Sequence, residues 1–368
     1  MEFRRSALIL PYGGVEPVFG GPALELGESV AVLGRATIGK RARLRELSVI
    51  RADGHYVKVG DDFHLGPRST VHIVHEILPA IIGDRVTVGA NACVHACTVG
   101  NDVVIGDGAV ILDGAVIEDE VAIEPDSIVL PGHRIGGGQV CAGLPAKALR
   151  PLVAGELAER RDKVSADCSA GVGAGSPSEG DLSGADPSVF IASTARVAGK
   201  LQAAENSSVW FSCDFDAGVG TISLSCNSNV QDNTLVRAAA STGVAIGQDT
   251  TIGHNVRLCD CTIGDRALIG IGSRVESGTI VEDGVLLAAG AWTSPGQRLE
   301  SGFMWGGRPA RRLARLDAKK LAMIALTVEH YRHYAKDFMA AEKALVAAGS
   351  SPRGSAPQGK SSGRSSRL

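Results

Sequence analysis

Residues 99–128 read VGNDVV, IGDGAV, ILDGAV, IEDEVA, IEPDSI. An aliphatic anchor opens each hexad at Val99, Ile105, Ile111, Ile117 and Ile123, and Val129 opens the next. Small or acidic residues follow each anchor. The same beat returns at Ile263, Ile269, Val275, Val281 and Leu287. A fixed period of this kind marks stacked coils in which each repeat buries its apolar side against its neighbours. Three hexads make one triangular coil, with the anchors stacked inside and small residues turning the corners. The predicted fold is mainly β: two tandem left-handed parallel β-helices built from hexapeptide repeats, followed by a C-terminal α-helix.

Composition agrees with that reading. Glycine supplies 47 of 368 residues, roughly twice the usual share of about 7 %. Aromatics are only 4 % within a hydrophobic total of 44 %, so the apolar mass is Ala, Val, Ile and Leu. The glycines lack a three-residue period, which excludes collagen. A formal charge of −3 argues against a general binder of nucleic acid or anionic membranes. No stretch is long and apolar enough for a membrane span. The eight cysteines include no CxxC pair and no zinc-ribbon spacing, which suits buried thiols in a reducing compartment. The first residues, MEFRRSALILPYGG, are not read as a signal or transit peptide. A cytoplasmic location is expected, with an organellar matrix as the alternative.

The two repeat runs align at an offset of 164 residues. Both carry the same irregularity: Val88 to Val99 and Ile252 to Ile263 are each eleven residues, one short of two hexads. A shared flaw at a shared place points to internal duplication. The reading is a first β-helix over 1–164, a flexible Ser/Gly/Ala/Pro-rich linker over 165–187, a second β-helix with its helix over 188–348, and a disordered tail over 349–368. From Leu316 onward, apolar residues at helical spacing predict one long amphipathic helix on the outside of the second β-helix. Residues 154–164 are a candidate shorter counterpart.

The ordered motifs are more specific than the repeats. The first unit contains SVIRAD (48–53), STVHIVHE (69–76), VTVGANACVHACTVGND (86–102) and CAGLPAKAL (141–149). The second contains FIASTARVAG (190–199), SSVWF (207–211), NVQDNTLV (229–236), TIGHNVRLCDCTIGD (251–265) and WGGRPARRL (305–313). In order and spacing these resemble the γ-class carbonic anhydrase family over nearly the whole of each unit. That resemblance implies trimers of β-helices, with a metal at each interface held by two histidines of one unit and one of its neighbour. It implies zinc, or iron(II) or cobalt(II), and the reversible conversion of carbon dioxide to bicarbonate.

Carried over residue by residue, neither unit has a full triad. His72 and His95 match two ligands in the first unit, but Ala90 stands at the third position. In the second unit His254 fills that position, while Arg237 and Cys259 stand where the other two histidines belong. The losses are complementary, so one complete site of His72, His95 and His254 is expected where a first unit meets a second. The supporting shell divides in the same way. Arg51 and Asp53 match in the first unit, and Asn229, Gln231 and Asp232 match in the second, so Arg51 is expected to pair with Asp232. His75 and Glu76 follow the first ligand closely enough to move a proton, and a histidine titrates near 6.5 when unperturbed. His55 is a further candidate for that task. Cys259 and Cys261 are considered for a second metal position. His133, His330 and His333 are read as surface or packing residues.

Two other functions remain open on sequence. One is a hexapeptide acyltransferase using His72 or His95 as a base. The other is a non-catalytic subunit of a larger assembly, docking through the helix and basic tail. A homo- or hetero-oligomer built on trimers of β-helices is expected, but two units per chain do not by themselves satisfy a threefold arrangement.

Overall fold

The computed structural model describes residues 7–167, 180–239 and 242–347. Short parallel strands stack with three faces per coil, so the chain forms the expected parallel β-solenoids. Anchors stack directly: Val88 on Ile105 on Ile123, Val94 on Ile111 on Val129, and Val99 on Ile117 on Ile135. The second unit repeats this, with Ile252 on Ile269 on Leu287 and Ile263 on Val281 on Leu299. These anchors form the apolar interiors. The tight corners require left-handed backbone, which explains Gly108 (φ 65°) as well as Asp102 and Asp126 at φ near 55°.

The first unit ends in a helix, α1 (Glu156–Asp167), laid on one face of its coils. Strand structure resumes at Asp181, where Asp181–Ala185 pairs in parallel with Arg196–Ala203. Regular structure therefore enters the expected linker from both sides. Its central residues, 168–179, and the tail beyond 347 lie outside the described residues. No helix among the described residues is long and apolar enough to cross a membrane.

The two units pack side by side. One outer face of the first unit carries the ladder Thr70, Cys93, Val110 and Ile128. Cys93, Val110 and Ile128 are buried in a cluster that includes Ile271 and Ala289, on a corner of the second unit. The fit is close: a Cβ on Gly272 would lie 2.7 Å from Val110, and one on Gly290 would lie 2.4 Å from Ile128. Polar contacts flank this seam, including Asn233 to Thr70 at 3.0 Å and Asn255 to the Arg68 carbonyl at 2.7 Å.

The long C-terminal helix, α2 (Ala318–Ala347), differs from the sequence expectation in its placement. It does not lie on the second unit alone. Tyr331, Tyr334 and Phe338 are buried against Phe190, Trp210 and Phe211 of the second unit, in a cluster that also takes in Leu8 and Leu10 of the first. Tyr12 of the first unit stacks at 4.9 Å on Phe338 and bonds Asp337 at 2.8 Å. The aromatic residues, scarce overall, are concentrated here, where one helix must cover two solenoids.

The glycine corners give a direct stability test. Gly290→Ala forces a Cβ into Ile128, so it is expected to cost about 1–3 kcal/mol from overpacking, beyond the cost of a left-handed alanine. Gly296 has a similar φ of 69° but open space around it. Gly296→Ala should therefore cost only the backbone strain, about 1–2 kcal/mol. Urea midpoints of the two variants separate these effects.

Candidate metal centre

His72 and His95 end adjacent parallel strands, Thr70–His72 and Cys93–His95, and are direct partners across the ladder. Val71 and Val94 between them point into the core, so both imidazoles face outward on the same side, one strand spacing apart. His254 comes from a corner of the second unit, just after the strand Thr251–Ile252. The docking of the two units brings it over the pair. The three rings lie with centroids 4.8–5.5 Å apart, and their ligating atoms all lie within 4.8 Å of one another.

Each imidazole has an inner and an outer nitrogen. His72 Nδ1 faces His95 Nε2 at 3.2 Å and His254 Nε2 at 3.1 Å. The outer nitrogens each meet a carboxylate: His72 Nε2 lies 3.0 Å from Asp53, His95 Nδ1 2.5 Å from Asp113, and His254 Nδ1 3.2 Å from Asp232. Carboxylates are acceptors, so the outer nitrogens carry the protons in the tautomers that this wiring assigns. Three bare lone pairs then face one another inside. A cation satisfies all three at once, whereas the Tyr331 hydroxyl, 3.4 Å from His254 Nε2, reaches only one of them.

Arg51 ties the two units together behind the ring cluster. It is fully buried, donates to Asp53 of its own unit, and lies 2.9 Å from Asp232 of the other. Its third contact is the Tyr331 hydroxyl at 2.7 Å, and its guanidinium stacks 4.6 Å from the centre of Trp210. Burial opposes its charge, but Asp232 and Asp53 outweigh that and keep the guanidinium protonated. Burial would raise Asp232, yet Arg51 and His254 hold it below the usual carboxylate range. Burial likewise opposes ionisation of Asp113, and His95 more than offsets it. Burial pushes His72 well below 6.5, with Arg51 adding to the effect. It pushes His254 down to about 4 against the opposing pull of Asp232. His72 and His254 are therefore held neutral, as ligands must be. Three carboxylates against one guanidinium leave a surplus of two negative charges, which a divalent cation would balance.

The expected site residues divide into those that converge and those that do not. His72, His95, His254, Arg51 and Asp53 meet, and the Arg51–Asp232 pair forms across the units. Gln231 is buried beside Asp232, with its amide 3.3 Å from Asn229. His75 is half-buried and packs on α2, with ring centroids 4.9 Å from His330 and 5.2 Å from Tyr334. Its Nδ1 is buried without a partner among the described residues. Of the two readings of His330, surface or packing, the structure shows packing, on His75 and Tyr334. Glu76 is exposed and joins the site only through its neighbour. His55 bonds the adjacent backbone at Tyr56, and Cys259 and Cys261 form no further metal-binding group among the described residues. Arg237, the neighbour of Cys259 in the second unit's ladder, pairs with Asp214 at 3.3 Å.

Two residues were missed. Asp113 stands eighteen residues after His95, one full coil on, and that spacing could have revealed it. Tyr331, whose hydroxyl also lies 3.4 Å from His254 Nε2, belongs to a helix whose docking has no signature in the repeats.

Comparisons with known proteins accord with this geometry. Residues 79–113 and 261–292 match the family described as the hexapeptide repeat of succinyl-transferase. The chain is 36 % identical over 157 residues to gamma carbonic anhydrase 1, mitochondrial, of Arabidopsis thaliana, across 41 % of this chain and 57 % of the relative. It therefore spans little more than half the length of that plant protein. It is also 36 % identical over 153 residues to protein YrdA of Escherichia coli, covering 40 % of this chain and 83 % of YrdA. A solved putative acetyltransferase from Desulfovibrio desulfuricans superposes with a TM-score of 0.52 over 90 % of this chain and 84 % of that one. At 14 % identity it shows the shared fold alone.

The depressed His254 value has a stability consequence. Below pH about 6.5 the unfolded chain binds a proton at this residue that the folded chain refuses until pH about 4. Stability of the metal-free protein should therefore fall as pH drops through that window. In His254→Gln the pH dependence of the urea midpoint should be shallower over the same range.

Proposed function

The chain belongs to the γ-carbonic-anhydrase-like family of hexapeptide-repeat proteins, and from that premise we propose that it holds one zinc ion at His72, His95 and His254 and reversibly hydrates carbon dioxide. The observation that carries this reading is the double orientation of the imidazoles, with one nitrogen of each turned inward and a carboxylate oxygen within 3.2 Å of each outer nitrogen. Carboxylate-backed histidines are the usual outer shell of zinc sites. Two of the three separations, 3.1 and 3.2 Å, are close to the about 3.3 Å between ligand atoms set by tetrahedral zinc–nitrogen bonds of about 2.0–2.1 Å, and all three atoms lie within 4.8 Å of one another. Iron(II) or cobalt(II) would meet the same donor set.

When bound, the ion supplies the Lewis acidity that lets water act as a nucleophile near neutral pH. The protein's part follows from its wiring. Asp53, Asp113 and Asp232 fix tautomer and ring direction. Arg51 holds two of those carboxylates and so aligns histidines from both units. The Tyr331 oxygen accepts from Arg51, leaving its own proton free to donate toward the His254 Nε2 side, where substrate oxygens would sit. Gln231 lines up beside Asp232 as a positioning group. Hydration of carbon dioxide releases bicarbonate and one proton, and His75 carries that proton toward solvent past His330. The two units are duplicated copies with divided labour, and a mitochondrial location, the word that the plant relative's name carries, belongs to the same proposal.

Metal analysis after zinc loading should give one ion per chain, lost alike in His72→Ala and His254→Ala. Asp113→Asn should weaken binding about 10–100-fold. A chain that stays metal-free under zinc overturns the proposal.

Stopped-flow hydration of carbon dioxide should drop about 10²-fold in His75→Ala at neutral pH, with recovery in imidazole buffer. Unchanged turnover would remove His75 from the mechanism, and acetyl-coenzyme A turnover without hydration would favour acyl transfer.

A further inference from the structure

The faces of the first unit are used unequally. One carries His72 and His95. Another, built from the strands Glu25–Leu26, Arg43–Leu44, His64–Leu65 and Thr87–Val88, belongs to a separate sheet. On that sheet α1 lies over Thr87–Val88 and Val104–Ile105. Beside its last turn a pocket of about 490 Å³ remains, with Glu25, Arg43, Arg45 and His64 on the sheet side and Ser165 and Ala166 on the helix side. None of these residues belongs to the ring cluster.

His64 is the unusual member of this lining. It is 6 % exposed, and both of its ring nitrogens are buried without a hydrogen-bond partner. Buried polar groups are nearly always paired. Burial, with Arg45 and Arg43 beside it, pushes His64 down to about 4, so at neutral pH it offers one N–H and one lone pair. Glu25, Arg43 and His64 are direct neighbours along the ladder. Arg45 pairs with Glu25 and with Glu46, each at 3.4 Å. Arg43 forms no ion pair among the described residues, which leaves one positive charge uncompensated. The carbonyl end of α1 and the Glu25 carboxylate border the pocket and disfavour a second negative charge.

The second unit shows the same positions filled. Phe190, Ser208, Trp210 and Asn229 stand where the first unit has Glu25, Arg43, Arg45 and His64. Asn229 donates to its ladder neighbour Thr251 at 2.9 Å, and Trp210 donates to Ser208 at 2.9 Å. Phe190 and Trp210 pack on Phe338 of α2, so rings occupy the space. In the first unit Thr87 stands beside His64 as Thr251 stands beside Asn229, yet His64 makes no bond. We propose that the first unit's pocket binds a small organic monocarboxylate, its oxygens shared between the Arg43 guanidinium and the His64 N–H. A guanidinium fork matches a carboxylate, and one uncompensated charge matches a monoanion. The pocket is larger than a carboxylate group needs, and Leu24 and Ala166 line it for the carbon chain of the acid. This inference does not depend on the hydratase reading.

The test follows the imidazole resonances of the full, metal-free chain by NMR, with the His64 signal assigned by its loss in His64→Asn. Butyrate should shift that signal saturably at neutral pH, and it should bind more tightly than acetate or bicarbonate, which lack its chain. Arg43→Ser, which breaks no ion pair within the chain, should weaken butyrate at least about tenfold without altering the urea midpoint. His64→Asn and Arg43→Ser both install the second unit's own residues, so both variants should fold. His72→Ala, which dismantles the ring cluster, should bind butyrate as the parent does. No shift at millimolar butyrate, an equal response to chloride or inorganic phosphate, binding indifferent to Arg43→Ser, or binding lost in His72→Ala would each overturn the proposal. Bicarbonate binding as tightly as butyrate would overturn the organic acid as the ligand.

Discussion

Arg51 is the residue on which the rest of the arrangement depends. A guanidinium with no exposure is costly to bury, and only the two carboxylates on either side of it make the position tenable. Those carboxylates come from different units. Asp53 lies against His72 and Asp232 against His254, so one cation sets the direction of two imidazoles 182 residues apart. Removing either carboxylate would strand a buried charge, a loss on the order of 3–5 kcal/mol. The seam between the units and the geometry of the histidines are thus one electrostatic object.

This coupling explains why the two units differ where they do. At the seam that forms, the first unit's ladder is apolar and carries two histidines, because a corner with His254, Gly272 and Gly290 lies on it. The equivalent ladder of the second unit has no such cover among the described residues. It carries Arg237, Arg257 and Arg274, and Arg237 pairs with Asp214. Ala90, opposite in place to His254, is consistent with a corner that faces no histidines.

The C-terminal helix completes what two solenoids cannot. Short coils present flat, mostly aliphatic surfaces, and a seam between them is open at its upper edge. α2 closes it with Tyr331, Tyr334 and Phe338 and lays a hydroxyl on Arg51. Its sequence shows amphipathic helix plainly, and that much was readable. Which surface it covers was not, because a helix carries the same apolar stripe whether it lies on one unit or across two. His330 and Tyr331 were unremarkable in sequence for that reason.

The sequence by itself determined the solenoids, since a six-residue beat of anchors has one physical solution and stacking follows from the period. It also marked His72, His95, His254, Arg51 and Asp53, because their motifs are local and their complementary gaps can be compared by offset. Asp113 was within reach through the eighteen-residue coil. The Arg51–Asp232 pair was legible as well, from the complementary motifs of the two units. The tertiary structure alone decided that one chain closes its own triad and that Tyr331 of α2 lies on Arg51. Those outcomes depend on how two rigid bodies dock, and docking is set by surface shape and charge summed over many coils, which no local period records.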